Sequence, residues 1–256
     1  MGKLVFIGIG ISSEKALSLE AVEEIKGSDF VYIDSYTSYM PDFDLGKVKE
    51  MTGKTVIEVR REEIEKEEPV IIEKALENNV AFLVPGDPFI STTHFNLLID
   101  AEDRGIKTKV IHGVSILSAA ISISGLHNYK FGASATVPLE YENYDPKSFY
   151  YVLKDNLERR LHTLFYLDVD AERKRYLTVN EAVERLLSIE KKEQKNVFSE
   201  KTVVMGLARV GTRSEIIRVG EAGKIRDIDF GGAPHMLIVP GALHFSEERV
   251  MRRYLV

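Results

Sequence analysis

Val80-Ala81-Phe82-Leu83-Val84-Pro85-Gly86-Asp87-Pro88-Phe89 decides the reading of this chain. Its first five residues are apolar without a break, which predicts a strand buried on both faces. The next four cannot prolong that strand. Pro85 and Pro88 have no N–H to offer a ladder, and Gly86 opens dihedrals closed to other residues. The Asp87 carboxylate can turn onto neighbouring N–H groups or onto a ligand hydroxyl. The strand therefore ends in a rigid polar elbow, at the place where open α/β sheets bind ligands.

Working outward, strands at 4–9, 30–33, 55–59, 80–84 and 107–111 alternate with helices at 16–25, 69–76, 94–104 and 115–124. This order predicts a parallel sheet covered on both faces. Ser12 or Ser13 is the expected cap of the first helix, Pro69 opens the second, and the charge-rich stretch 60–68 reads as a solvated connector. Beyond about Gly125 the texture changes. Strands are expected at 133–138, 162–167, 202–209, 215–219 and 236–239, with helices at 149–160 and 179–192. A polar connector spans 140–147, and 191–201 reads as a mobile loop. The expected organisation is two α/β domains, 1–128 with the parallel sheet and 129–256 with a mixed sheet containing antiparallel pairs.

With 256 residues, a 44% hydrophobic and 29% charged make-up and a net charge of −6, the chain has the composition of a globular protein. The acidic balance argues against direct nucleic-acid binding, which rests on neutralising phosphates. The absence of cysteine removes disulfides and thiolate chemistry. No segment approaches the roughly 18 apolar residues of a membrane span, and the apolar run after Met1 is too short for a secretory leader. A cytoplasmic protein with no membrane partner is expected.

Gly8-Ile9-Gly10 followed by Asp34 invites a dinucleotide-binding reading, but Ser13 stands where the third glycine belongs. None of the six histidines, His94, His112, His127, His162, His235 and His244, falls into a short metal-binding spacing, so no metal is expected. There is no nucleophile elbow or P-loop. Three strand ends carry small or polar residues, at 8–11, 86–90 and 112–116, and parallel topology brings them to one sheet edge. Leu167-Asp168 and Ala208-Arg209 add two more in the second half. A ligand cleft between the domains is the expected result.

These loops resemble the tetrapyrrole methylase superfamily, with Gly8-Ile9-Gly10, Gly86-Asp87-Pro88 and Gly113-Val114-Ser115 in the places of its three motifs. Within it, the chain resembles the diphthine synthase family. That closer likeness is carried by Tyr36-Thr37-Ser38, Tyr129-Lys130-Phe131-Gly132, His162-Thr163-Leu164, Leu167-Asp168, Gly206-Leu207-Ala208-Arg209-Val210-Gly211, Asp229-Phe230-Gly231, Pro234-His235 and Pro240-Gly241-Ala242-Leu243-His244-Phe245. The loop His112-Gly113-Val114-Ser115-Ile116 is closer to the wider superfamily than to the narrower family.

The resemblance implies a homodimer binding S-adenosylmethionine at Ile11, Asp87, Ile90, Ser115, Ile116, Leu167, Ala208 and His235. It implies three methyl transfers to the amine of a 3-amino-3-carboxypropyl histidine on translation elongation factor 2. Arg209 is a candidate partner for that substrate's carboxylate. Tyr36, Asp87 and His112 lie on the ligand edge, but the sequence singles out none of them as the base. Three alternatives stay open at this point: methylation of a small corrin or porphyrin precursor, nicotinamide-dependent redox chemistry, and a binding module without turnover.

Overall fold

The structure is a computed structural model that describes residues 2–140, 145–171 and 173–256. The chain divides into two compact units, Met1–Ser118 and Ala119–Val256. Part of the polar connector expected at 140–147 lies outside the described residues.

The first unit contains β1 (Lys3–Gly8), α1 (Leu19–Gly27), β2 (Phe30–Asp34), α2 (Leu45–Thr52), β3 (Val56–Val59), α3 (Arg61–Ile64), α4 (Val70–Ala75), β4 (Asn79–Val84), α5 (Phe95–Asp103) and β5 (Lys107–Ile111). Helix α6 (Ile116–Ser124) runs across the division between the units, ahead of the boundary expected at residue 128. The five strands form one parallel sheet in the order β3-β2-β4-β1-β5. Alternation along β1 and β4 explains why both faces are covered. Leu4, Phe6, Val80, Phe82 and Val84 pack on one side with Ile71, Ile72 and Leu97. Val5, Ile7, Ala81 and Leu83 pack on the other with Ala21 and Ile25.

Helix α1 starts later than residue 16 because its cap is Ser18, whose hydroxyl accepts from Ala21 N at 3.1 Å. Ser13 heads a short 3-10 turn and makes no such bond. Helix α2 has no counterpart in the sequence reading. Asp44 caps it through Gly46 N at 2.8 Å, and Gly53 ends it in the left-handed region.

The second unit contains β6 (Ala135–Val137), α7 (Ser148–Glu158), β7 (Thr163–Leu167), β8 (Val169–Asp170), β9 (Arg175–Tyr176), α8 (Val179–Glu193), β10 (Val203–Ala208), β11 (Ile216–Glu221), α9 (Ala222–Ile225), β12 (His235–Val239) and α10 (Phe245–Met251). Its main sheet has the order β11-β10-β12-β7-β6. All neighbours are antiparallel except β6 and β7. Phe149, Leu153, Val183 and Leu186 from α7 and α8 join Phe165, Leu237 and Val239 in its core.

The segment 191–201, read from its polarity as a mobile loop, is tied down. Helix α8 continues through Glu193, and the Glu190 carboxylate accepts the backbone N–H groups of Asn196, Val197 and Phe198 at 2.8–3.0 Å. Glu190 also takes the Tyr150 hydroxyl at 2.8 Å, and Phe198 is buried.

Candidate functional site

In the first unit, β1 runs on to β2 and β4 runs on to β5, so these adjacent strands send their connections in opposite directions across the sheet. Such a reversal leaves room for a ligand beyond the strand ends. The loops there are locked together by backbone. Gly10 N donates to Gly86 O at 3.2 Å, and Gly86 N returns a bond to Gly10 O at 2.7 Å. Gly113, after β5, packs against both neighbours. A Cβ on it would lie 2.2 Å from Gly86 O and 2.6 Å from Gly8 C, distances no real contact shows. Gly86 has φ +73°, and a Cβ there would meet nothing nearer than 4.0 Å. The junction of Gly8, Gly86 and Gly113 is thus bare main chain with open space over Gly86.

Asp87 sits on this junction with a nearly buried side chain. Its Oδ1 accepts Phe89 N at 3.2 Å, and its Oδ2 lies 2.8 Å from His112 Nδ1. The imidazole of His112 is 76% exposed. Ile90 follows the elbow with its side chain partly in solvent, and Val114 is exposed. Ser115 caps the turn into α6, its hydroxyl accepting Leu117 N at 3.2 Å, and Ile116 opens that helix. Ile11 follows Gly10 and is half-buried. The structure therefore brings five of the expected site residues, Ile11, Asp87, Ile90, Ser115 and Ile116, to loops on one sheet edge.

The elbow is held from beneath. His94 Nδ1 lies 3.4 Å from Pro88 O, and its Nε2 lies 3.2 Å from the Tyr36 hydroxyl and 3.3 Å from Asp34 Oδ2. Burial depresses the His94 imidazole below its ordinary range, against the pull of Asp34. Burial, with Asp34, raises the Tyr36 phenol above its ordinary range. Asp34 also accepts Tyr36 N at 2.8 Å, Thr37 N at 2.9 Å and the Thr37 hydroxyl. Its carboxylate is consumed within the fold, so the ribose-binding role weighed for it is not supported.

In the second unit, Ala208 pairs with His235 and Met236 pairs with Tyr166. The next step of that register sets Leu167 beside His235, so Leu167, His235 and Ala208 form one row across β7, β12 and β10. The His235 ring is fully used. Val179 N donates to Nδ1 at 3.3 Å, which leaves Nε2–H to donate to Gly231 O at 3.2 Å and Gly232 O at 3.0 Å. Burial, with Arg209 nearby, lowers its pKa below the ordinary range. Only its main chain remains for a ligand.

Arg209 is mostly engaged within its own unit. Its Nε donates to Ser214 O at 3.1 Å and Ser214 Oγ at 3.0 Å, and its Nη1 donates to Phe230 O at 2.8 Å and to Gly232 O. Through Nε and Nη1 the guanidinium pins the loop before β12.

One further centre was invisible in the sequence. Glu247, in the first turn of α10, is completely buried. It accepts His127 N at 2.8 Å, His244 N at 2.7 Å, His162 Nε2 at 3.0 Å and Lys130 Nζ. Lys130 also donates to Ala242 O at 2.6 Å, and His162 Nδ1 accepts Gly241 N at 2.9 Å. Burial opposes its charge, but these donors prevail and bring its pKa down to about 2. Three stretches that carry the narrower resemblance, around 129–132, 162–164 and 240–245, thus meet on one carboxylate. The available signal was the spacing His244-x-x-Glu247, a capping box with histidine as the cap.

Comparison with known proteins shows the family. The model of the Tetrapyrrole (Corrin/Porphyrin) Methylases matches residues 3–225. A diphthine synthase of Methanosarcina acetivorans is 40% identical over 253 residues, covering 97% of this chain and 94% of its own. A diphthine synthase of Methanothermobacter thermautotrophicus is 40% identical over 244 residues, covering 95% and 92%. A crystal structure of diphthine synthase superposes with a TM-score of 0.88 at 33% identity, covering 98% of this chain and 95% of the other. Motifs, topology and full-length similarity agree that the chain belongs to the tetrapyrrole methylases and, among them, to the diphthine synthase family of methyltransferases.

Proposed function

We propose that this protein uses S-adenosylmethionine to trimethylate the amine of the 3-amino-3-carboxypropyl histidine of translation elongation factor 2, giving diphthine. One observation carries the reading. The three methylase loops meet in the Gly8–Gly86–Gly113 junction, in a chain aligned over 97% of its length with a diphthine synthase.

The residues present fit that cofactor. The bare main chain at Gly86 allows close approach, Asp87 offers carboxylate lone pairs to sugar hydroxyls, and Ile90 and Val114 offer apolar surface to a flat base. Ile11, Ser115 and Ile116 complete this group. Leu167, Ala208 and His235 contribute through strand-end main chain. S-adenosylmethionine supplies a methyl group already activated by its sulfonium. The protein's task is to bind, orient and exclude water, and a near-attack arrangement supplies about 7–11 kcal/mol. The reading includes a homodimer working in the cytoplasm.

The test is transfer of labelled methyl from S-adenosylmethionine to a panel of acceptors. Label on elongation factor 2 bearing the aminocarboxypropyl histidine supports the proposal. Label only on a corrin or porphyrin precursor replaces it with the small-molecule reading. Affinity for a nicotinamide cofactor with none for S-adenosylmethionine removes both.

A further inference from the structure

Amine methylation needs a group that takes a proton, because an ammonium has no lone pair with which to attack. The structure narrows the choice among Tyr36 and the six histidines. Tyr36 is buried, bonded to His94 and raised in pKa. His94, His162 and His235 each have both ring nitrogens within the hydrogen-bonding network of the fold. His127 has one nitrogen on the Tyr129 hydroxyl at 2.9 Å and the other on Ser246 Oγ at 3.2 Å. Among the described residues, His112 and His244 alone keep an unengaged Nε2. The Nδ1 of His244 lies 2.7 Å from a neutral serine hydroxyl and caps α10. The Nδ1 of His112 lies 2.8 Å from the Asp87 carboxylate, at the end of β5 on the junction edge.

We infer that His112 is the general base of the methyl transfer, with Asp87 as its positioning residue. This rests on the proposed function. The carboxylate accepts Nδ1–H and so fixes the tautomer that presents the Nε2 lone pair outward, in a ring that is 76% exposed. His112 Nε2 takes one proton from the acceptor ammonium. The freed nitrogen pair forms the N–CH3 bond as the S–CH3 bond breaks, and the sulfur keeps that bond's electrons. The methylated nitrogen is again an ammonium, and the imidazolium gives its proton to water. Each of three rounds releases one proton and one S-adenosylhomocysteine. Asp87 thus serves both the cofactor and the base, which explains why a carboxylate is placed at the elbow where an amide would satisfy Phe89 N equally well.

The experiment is single-turnover methylation of aminocarboxypropyl-bearing elongation factor 2 by the wild-type protein, His112→Ala and His112→Gln. S-adenosylhomocysteine affinity is measured on the same samples by calorimetry, and the reactions are repeated with added imidazole. Loss of a positioned base lowers the rate about 100-fold or more. The expected result is that loss in both variants, cofactor affinity within about twofold of wild type, and partial recovery of His112→Ala by imidazole. A His112→Ala rate within threefold of wild type overturns the inference and leaves the proposed function standing. So does a loss of rate that imidazole leaves untouched and that comes with an equal loss of cofactor affinity. A wild-type protein that fails to methylate this acceptor removes the proposed function, and the inference with it.

Discussion

Two carboxylates organise this molecule in opposite ways. Glu247 is sealed in the second unit, with two main-chain N–H groups, an imidazole and an ammonium filling its lone pairs. Asp87, at the open edge of the first unit, holds one main-chain N–H and one largely exposed imidazole. A buried polar group whose partners are all internal specifies a fold. A carboxylate that keeps spare lone pairs beside bare main chain is equipped to meet something else. The contrast separates a carboxylate closed within the fold of this chain from one with lone pairs to spare.

The sharpest way to break the contrast is to remove a partner of the sealed acid. Lys130→Met leaves the Glu247 charge buried without its cation, and the expected loss is about 3–5 kcal/mol in urea denaturation. A loss below about 1 kcal/mol would show that Glu247 is not the structural centre described here.

Acid should act on the same group. The folded pKa of Glu247, about 2, lies below its ordinary 4.5. Its stabilisation is therefore complete above about pH 5 and is lost as pH falls from 4.5 towards 2, by about 3 kcal/mol in all. Glu247→Gln removes that share of the acid dependence, read as a shallower slope of unfolding free energy against pH in this window. An unchanged slope would contradict the assignment.

Within the junction, Gly113→Ala drives a Cβ into main chain at 2.2 Å. An overpacking cost of about 1–3 kcal/mol is expected, together with weaker S-adenosylmethionine binding. Gly86→Ala meets open space and carries only its left-handed backbone, about 1–2 kcal/mol. Comparing the two by thermal unfolding and calorimetry separates crowding from backbone strain. The smallest effect on stability belongs to Asp87→Asn, within about 1 kcal/mol because the amide oxygen still accepts Phe89 N. Its turnover should nonetheless collapse. A variant as active as wild type would show that the Asp87 charge has no part in the chemistry.

What the sequence made legible follows from the range of the forces involved. The run 80–84 and the Pro-Gly-Asp-Pro elbow are local, so the strand and its stop are read directly. The first helix starts later than its expected cap at Ser12 or Ser13, because the cap bond is made by Ser18. Helix α2 escaped notice because Gly46 dilutes its short pattern. The Glu247 centre draws on residues 127, 130, 162 and 244, so no window along the chain contains it. Polarity misled at 191–201, where one carboxylate gathers three main-chain N–H groups.

Trimethylation is read most directly by intact-mass measurement of elongation factor 2 after incubation with this protein and S-adenosylmethionine. Three methyl increments are expected on elongation factor 2 that carries the aminocarboxypropyl histidine, and none when that histidine is unmodified. No increment on the modified factor, in a sample that binds S-adenosylmethionine, would contradict that expectation.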